Sequence, residues 1–259
     1  QAEPASPRKV NRVRKGRELC RKKGIDYPVD LWYQLSYYVY PESVSVFSRL
    51  CKSTNQIVCT VAFWKNLYQR FYNKEIKLPK TLQPLCLERI HSLQPNVVRA
   101  LYHFYQPFID RLNPASTFEA EPHKLIGRRC LLYWYQPVKN MWNFCFKLVR
   151  PGMSCRTVCK NQRTYIDNYD DIFYNVEEGC TILQVTCSHF LSLPIAMGQI
   201  LNHVHLTVSG QGFRYHTLRL VFDTRYQHNR DAVGTTVVLD SVVNIKVIPW
   251  WDPKYPFSS

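Results

Sequence analysis

The stretch YPVDLWYQLSYYVYPESVSVFSRLCKSTNQIVCTVAFWKNLYQRFY, Tyr27 to Tyr72, decides the front half of the fold. Pro28 suits a first helical turn, where its missing N–H costs nothing, and Asp30 suits the positive end of a helix dipole. Leu31, Leu35, Tyr38 and Val39 fall at i, i+4, i+7 and i+8, which predicts one helix ended by Pro41. Pro41 and Glu42 repeat the start signal. Val44, Phe47 and Cys51 then share a face, with Val46 and Leu50 beside them, which predicts a second helix. After the polar Lys52, Ser53, Thr54 and Asn55, the residues Ile57, Val61, Trp64, Tyr68 and Phe71 recur at spacings of four, three, four and three, which predicts a third. Helices this short do not hold alone, so they share a core or lean on a partner.

Moving outward, Val97, Leu101, Phe104, Tyr105, Phe108 and Leu112 give a further helical pattern beyond Pro95, and Pro107 should kink or restart it. Residues 73–123 are thus expected to be a helical linker. From about Lys124 the period changes to two. Trp142, Phe144, Phe146 and Leu148 alternate with Asn143, Cys145 and Lys147, and Val204, Leu206 and Val208 alternate with His203, His205 and Thr207. Leu218, Leu220 and Phe222 make a third strand, and Val243, Ile245 and Val247 a fourth; Leu131 to Tyr135, Ile182 to Thr186 and Thr236 to Leu239 are shorter candidates. The expected fold class is α+β: an N-terminal three-helix module over 27–72, linking helices, and a C-terminal antiparallel β-sandwich over 124–259.

The 259 residues carry 34 Lys and Arg against 19 Asp and Glu, a formal net charge of +15. An acidic surface, an anionic membrane or a nucleic acid is a compatible partner. Much of the excess lies in residues 1–26, with nine bases against three acids and few large apolar side chains, so this segment is expected to be a disordered basic arm. Arg8, Lys9, Arg12, Arg14, Lys15, Arg17, Arg21, Lys22 and Lys23 read as a nuclear-import signal or a phosphate-binding arm, or as a solvated tail. The polar, basic start has no signal-peptide pattern, which predicts a nuclear or cytoplasmic protein whose ten cysteines are free thiols. Cys155 and Cys159 would need Cys180 and Cys187 to complete a zinc site, and buried or idle thiols are the preferred reading.

Cys180 to Phe213 contains no Asp, Glu, Lys or Arg, and LSLPIAMGQIL (Leu191 to Leu201) is its most apolar part. A spanning helix needs about 20 mostly apolar residues. Here His189, Ser192, Gln199, Asn202 and His203 interrupt, Pro194 and Gly198 weaken a helix, and the flanks alternate like strands. Two strands joined through a buried connection are expected instead, and a membrane is a disfavoured partner. No nucleophile elbow, phosphate-binding glycine loop, HExxH or EF-hand spacing occurs. His203 and His205 share a strand face and read as outer polar positions rather than metal ligands. Asp170, Asp171, Glu177 and Glu178 read as solvated, and WWDPKYPF (Trp250 to Phe257) as a strand extension packed on the sandwich. No enzyme, catalytic residue, cofactor or metal is expected.

Tyr27 to Tyr72 resembles an F-box, with Tyr27 and Pro28 at the start, Leu31, Trp32, Leu35, Tyr38 and Val39 on the first helix, then Pro41, then Leu50, Cys51 and Lys52, and finally Trp64 and Leu67. It departs from that pattern at Tyr27, where Leu is usual, and at Thr54 and Asn55, where Trp is common. Together with LYHFYQPF (Leu101 to Phe108), ILQVTCSHFLSLPIAMG (Ile182 to Gly198), LRLVF (Leu218 to Phe222) and WWDPKYPFS (Trp250 to Ser258), the chain is similar to the transmembrane protein 183 family. The family's name implies a membrane segment. The F-box-like region implies a substrate adaptor of an SCF-type cullin-RING ubiquitin ligase, acting on protein stability without chemistry of its own. On that resemblance Pro28, Leu31, Trp32, Leu35, Val39, Pro41 and Val44 face a Skp adaptor and its cullin scaffold, and the β half takes an unknown protein substrate. Two other readings stay open: a nuclear, RNA-associated protein using the basic arm, and a single-pass membrane protein with its span within 180–213.

Overall fold

The computed structural model describes residues 27–112, 122–152, 171–209, 215–226 and 234–256. The basic arm (1–26), Cys155, Cys159 and Asp170 lie outside the described residues.

The front half holds α1 (Val29–Ser36), α2 (Val44–Phe47), α3 (Lys52–Val58), α4 (Val61–Phe71), α5 (Leu93–Phe104) and α6 (Gln106–Asp110), with a 3-10 turn at Pro41–Ser43 leading into α2. Pro28 stands just before the first helical residue, and the chain turns after Ser36, ahead of Pro41. The single third helix expected over Ile57 to Phe71 is two, α3 and α4. Thr60 breaks it by accepting a hydrogen bond from the Phe63 N–H as the cap of α4, and the two helices keep their apolar positions in phase across the break. Pro107 restarts the chain as α6, in the first turn, where it costs nothing.

One core runs through this half. It contains Val44 and Phe47 of α2, Ile57 and Val58 of α3, Phe63, Trp64, Leu67 and Tyr68 of α4, and Leu93, Val97, Ala100 and Leu101 of α5. Residues 93–104 are therefore a packed wall of the helical core. Buried polar groups find partners inside it: the Trp64 indole donates to the Val58 carbonyl at 2.8 Å and the Tyr68 hydroxyl to the Leu82 carbonyl at 3.0 Å.

The β half is a single six-stranded antiparallel sheet closed on itself in the order β1-β2-β3-β6-β5-β4, where two stacked sheets were expected. Its strands are β1 (Arg129–Val138), β2 (Met141–Val149), β3 (Cys180–Cys187), β4 (Ile200–Ser209), β5 (Tyr215–Asp223) and β6 (Thr235–Pro249). The reason lies in β6. Thr236 to Leu239 and Val243 to Val247 belong to one strand that bends at Ser241, where φ is 53° and the register against β5 shifts, with a second shift against β3 at Val243. Its first half pairs with β5 and its second with β3, so a bulge turns a corner that two sheets would otherwise make. A short seam closes the barrel: Arg129 pairs with Ile200, and the Cys130 N–H donates to Gln199 and the Leu201 N–H to Arg128. Gly127 and Gly198, both near φ +80°, let the chain enter and leave that seam.

Phe144, Phe146, Leu148, Leu183, Val185, Leu218, Leu220, Phe222, Val237 and Leu239 fill the barrel. The outer face of β2, β3 and β6 is also covered, by a second cluster of Cys145, Val149, Cys180, Ile182, Ile248 and Tyr255. The uncharged stretch from Cys180 to Ser209 is strand, irregular loop, strand. That connection is mostly exposed, not buried as expected: Phe190, Pro194, Ile195 and Met197 face solvent and only Ala196 is enclosed. Among the described residues no helix is long and apolar enough to cross a membrane.

Candidate functional site

The structure divides the seven residues expected to face an adaptor. Leu31 and Leu35 are 41% and 45% exposed, and Pro28 is exposed with them. Spaced by three and four, these three and Tyr38, at 79% exposure, form one stripe along α1. Trp32 and Val39 are half-buried against the helical core, and Pro41 and Val44 are buried in it. The last four support the face from behind. Val46 and Leu50, in and just after α2, are also exposed, at 56% and 59%. Their spacing of four, beside the buried Val44 and Phe47, was the signal for them in the sequence.

Three polar contacts hold the stripe in place. The Arg70 guanidinium of α4 donates to the carbonyls of Tyr37 and Val39, tying down the exit of α1. Tyr105 at the end of α5 donates to Glu42 Oε2 at 2.8 Å, and burial together with this bond pushes its hydroxyl up to about 12. Thr54, at a usual Trp position, is fully buried; its hydroxyl donates to the Cys51 carbonyl at 2.9 Å and accepts from the Cys51 N–H at 3.1 Å. That small polar side chain fixes the start of α3 where a large ring would otherwise pack.

Among the described residues the titratable groups do not assemble into a metal-binding cluster. Cys180 and Cys187 end opposite ends of β3, about 23 Å apart at strand rise. Cys180 lies in the outer cluster and Cys187 in the barrel core, so they cannot share a zinc ion. Burial pushes the thiols of Cys130, Cys145 and Cys187 up to about 12. His203 and His205 stack with centroids 6.2 Å apart, and no group of three or more metal-ligating side chains occurs among the described residues.

A second site was not foreseen. Glu177, expected to be solvated, is the half-buried carboxylate at the joint between helices and barrel. It lies 2.6 Å from Lys147 Nζ of β2 and accepts from the Tyr255 hydroxyl at 2.7 Å. The terminal WWDPKY segment is a turn and not a strand extension: Trp251 stacks on Tyr102 of α5, while Tyr255 is buried against the barrel. Asp171 also joins the halves, its carbonyl accepting from the Ser92 N–H at 2.8 Å and its carboxylate 3.2 Å from His91. Charged loop residues look solvated in a sequence, because the partner strand that buries them lies thirty positions away.

The model of the transmembrane protein 183 C-terminal domain matches residues 127–248, the barrel almost end to end. Transmembrane protein 183A of Homo sapiens and transmembrane protein 183 of Rattus norvegicus are each 36% identical to the chain over 273 aligned residues, covering 100% of this chain and 72% of the relative. The chain belongs to the transmembrane protein 183 family. The protein of the same name from Mus musculus matches equally well, at 36% identity and the same coverage. No solved structure matches. The family model covers the barrel, and the alignments with the relatives take in the helical half as well.

Proposed function

We propose that the helical half docks on a Skp-type adaptor and that the chain is a non-catalytic, substrate-recruiting subunit of an SCF-type cullin-RING ubiquitin ligase. The observation that carries this reading is the exposed stripe of Pro28, Leu31, Leu35 and Tyr38, with Val46 and Leu50 also exposed, on the segment that resembles an F-box. An exposed apolar stripe held by a buried second row is what a protein partner recognises, and its anchors dominate the affinity. Function then lies in proximity: one half holds the scaffold, the other a substrate, and the local concentration of the target lysine rises.

The experiment is a pull-down of the Skp adaptor from purified components with Leu31→Asp/Leu35→Asp. Both side chains are already exposed, so the variant keeps its fold and loses the adaptor. Retention of the adaptor by the folded double variant overturns the reading. Val46→Asp, at an exposed position of α2, is expected to weaken binding without abolishing it.

A further inference from the structure

The seam between β1 and β4 is short, and beyond it the barrel wall is open. β1 pairs with β2 from Arg129 to Val138, but with β4 only where Arg129 meets Ile200. In an antiparallel pair, alternate residues turn their N–H and C=O away from the partner strand. Cys130 does so: its N–H donates to the Gln199 carbonyl, and its carbonyl accepts from the Gly198 N–H. Past the bulge at Leu131 the register gives the same role to Tyr133 and Tyr135, and among the described residues no backbone bond reaches that edge of β1. Side chains record the same opening. Tyr135 stands opposite Phe144 on the inner face, yet Phe144 is fully buried and Tyr135 is 52% exposed. On β4, Val204 is buried, while Val208, on the same face but further from the seam, is 51% exposed.

Residues 188–199 pass this edge and hold on to it by side chains. Leu191 and Leu193 pack on the barrel core, and the Phe190 ring lies 5.1 Å from Tyr135 and 5.0 Å from Trp142. Backbone bonds to the strands come only at the two ends, where the Ser188 N–H donates to Ser241 and Gly198 and Gln199 meet Cys130. An edge of alternating donors and acceptors is matched by another extended backbone. Its charge is set as well. Residues 122–149 and 180–209 hold no Asp or Glu, and Arg129 and Lys139, both exposed, stand at the two ends of β1. Two copies of this edge would set cation against cation, and lipid could not satisfy the open N–H and C=O groups. An acidic strand meets both conditions. We propose that the β1 edge, from Leu131 to Val138, takes an extended segment of a protein partner, with acidic residues at its ends, as an added strand that displaces Phe190 from Tyr135. As the way a ubiquitin-ligase substrate is held this rests on the function proposed above, whereas the strand addition itself does not.

The test is fluorescence anisotropy on the full chain with a short labelled peptide that alternates valine with threonine and carries glutamate at both ends. The expected result is saturable binding, weakened roughly tenfold when lysine replaces the glutamates. Methylating every second backbone nitrogen of the peptide should abolish binding in one phase and spare it in the other, because only one set faces β1. Hydrogen exchange should find the Tyr133 and Tyr135 amides fast in the free chain and protected by the peptide. Tyr135→Pro removes one outward N–H and no bond of the β1–β2 ladder, so it should lose the peptide while Tyr135→Val keeps it; thermal melting verifies the fold. No saturable binding of the glutamate peptide, equal binding of the two methylated forms, slow exchange of both amides in the free chain, or full affinity in a folded Tyr135→Pro variant each overturns the proposal. Uptake of the chain on phosphatidylserine vesicles in place of peptide binding overturns it too. The methylated peptides and the exchange on wild type decide the matter if Tyr135→Pro does not fold. Adaptor pull-down is run on the same variants: retained adaptor with lost peptide separates the β1 edge from the α1 face, and lost adaptor in wild type counts only against the ligase reading.

Discussion

Glu177→Gln tests how the two halves are joined. The Glu177 and Lys147 side chains are only 14% and 23% exposed, and the carboxylate also holds the Tyr255 hydroxyl. The amide keeps the size and can still accept from Tyr255, but it leaves the Lys147 ammonium without a counter-charge in a site largely closed to water. Breaking one partner of a buried pair costs about 3–5 kcal/mol, and the remaining exposure of Lys147 reduces this to about 2–3 kcal/mol. Tyr255→Phe removes one hydrogen bond to the carboxylate and leaves the ion pair, so its cost is about 1–2 kcal/mol. Because both act on one carboxylate, the double variant falls short of the sum. Urea denaturation followed by tryptophan fluorescence measures all three, since Trp250 and Trp251 sit in the segment that carries Tyr255. Trypsin should also cut faster after the exposed Lys254 in Glu177→Gln, as the turn detaches. A cost below about 0.5 kcal/mol for Glu177→Gln, or a larger cost for Tyr255→Phe, refutes the assignment of the joint to this carboxylate.

Trp64→Ala removes a ring that is 4% exposed and its bond to Val58, so it should cost about 3–5 kcal/mol in thermal or urea melts, while Leu31→Asp/Leu35→Asp stays within about 1 kcal/mol of wild type. Hydrogen bonds from the Thr54 and Ser53 groups lower the exposed Cys51 thiol, so mass spectrometry after brief iodoacetamide treatment should find Cys51 alkylated ahead of Cys86, with Cys130, Cys145 and Cys187 untouched until the chain unfolds. Burial, then Arg99, lowers His103, with Asp252 opposing. The unfolded chain therefore takes up that proton first as pH falls below about 6.5, and stability is lost on the acid side. His103→Gln should flatten the decline in melting temperature between about pH 7 and about pH 5, and an unchanged slope counts against it.

Local periodicity carried most of the fold. The strands expected at Trp142–Leu148, Val204–Val208 and Leu218–Phe222 form where alternation placed them, because each has one face in the barrel core. What periodicity could not carry was pairing. Two apolar runs of β6 looked like separate strands because Asp240 and Ser241 interrupt them, and only the bulge at Ser241, read in three dimensions, makes them one. The docking stripe was half legible for a related reason. A helical face gives the spacing of Leu31, Leu35, Val39 and Val44 but not which way the helix is turned against its neighbours, and Arg70 on α4 helps to settle that orientation. Glu177 was illegible altogether, since Lys147 and Tyr255 reach it from positions thirty before and seventy-eight after.

An adaptor that works by proximity depends on the path between its two binding faces as much as on either face. On the function proposed above, the path runs from the α1 face to the barrel without a break. Arg70 ties the exit of α1 to α4; Phe71 meets Tyr105 at 4.8 Å and Tyr68 meets Phe104 at 5.8 Å, tying α4 to α5; Tyr102 stacks on Trp251, and Tyr255 reaches Glu177 and the barrel. Loosening the link should therefore separate affinity from output. With the α1 face untouched, Glu177→Gln should leave adaptor capture unchanged and lower ubiquitin transfer to a bound substrate in a reconstituted ligase, whereas Leu31→Asp/Leu35→Asp lowers both together. Equal transfer by Glu177→Gln and wild type would mean that the joint holds the fold but does not set the distance.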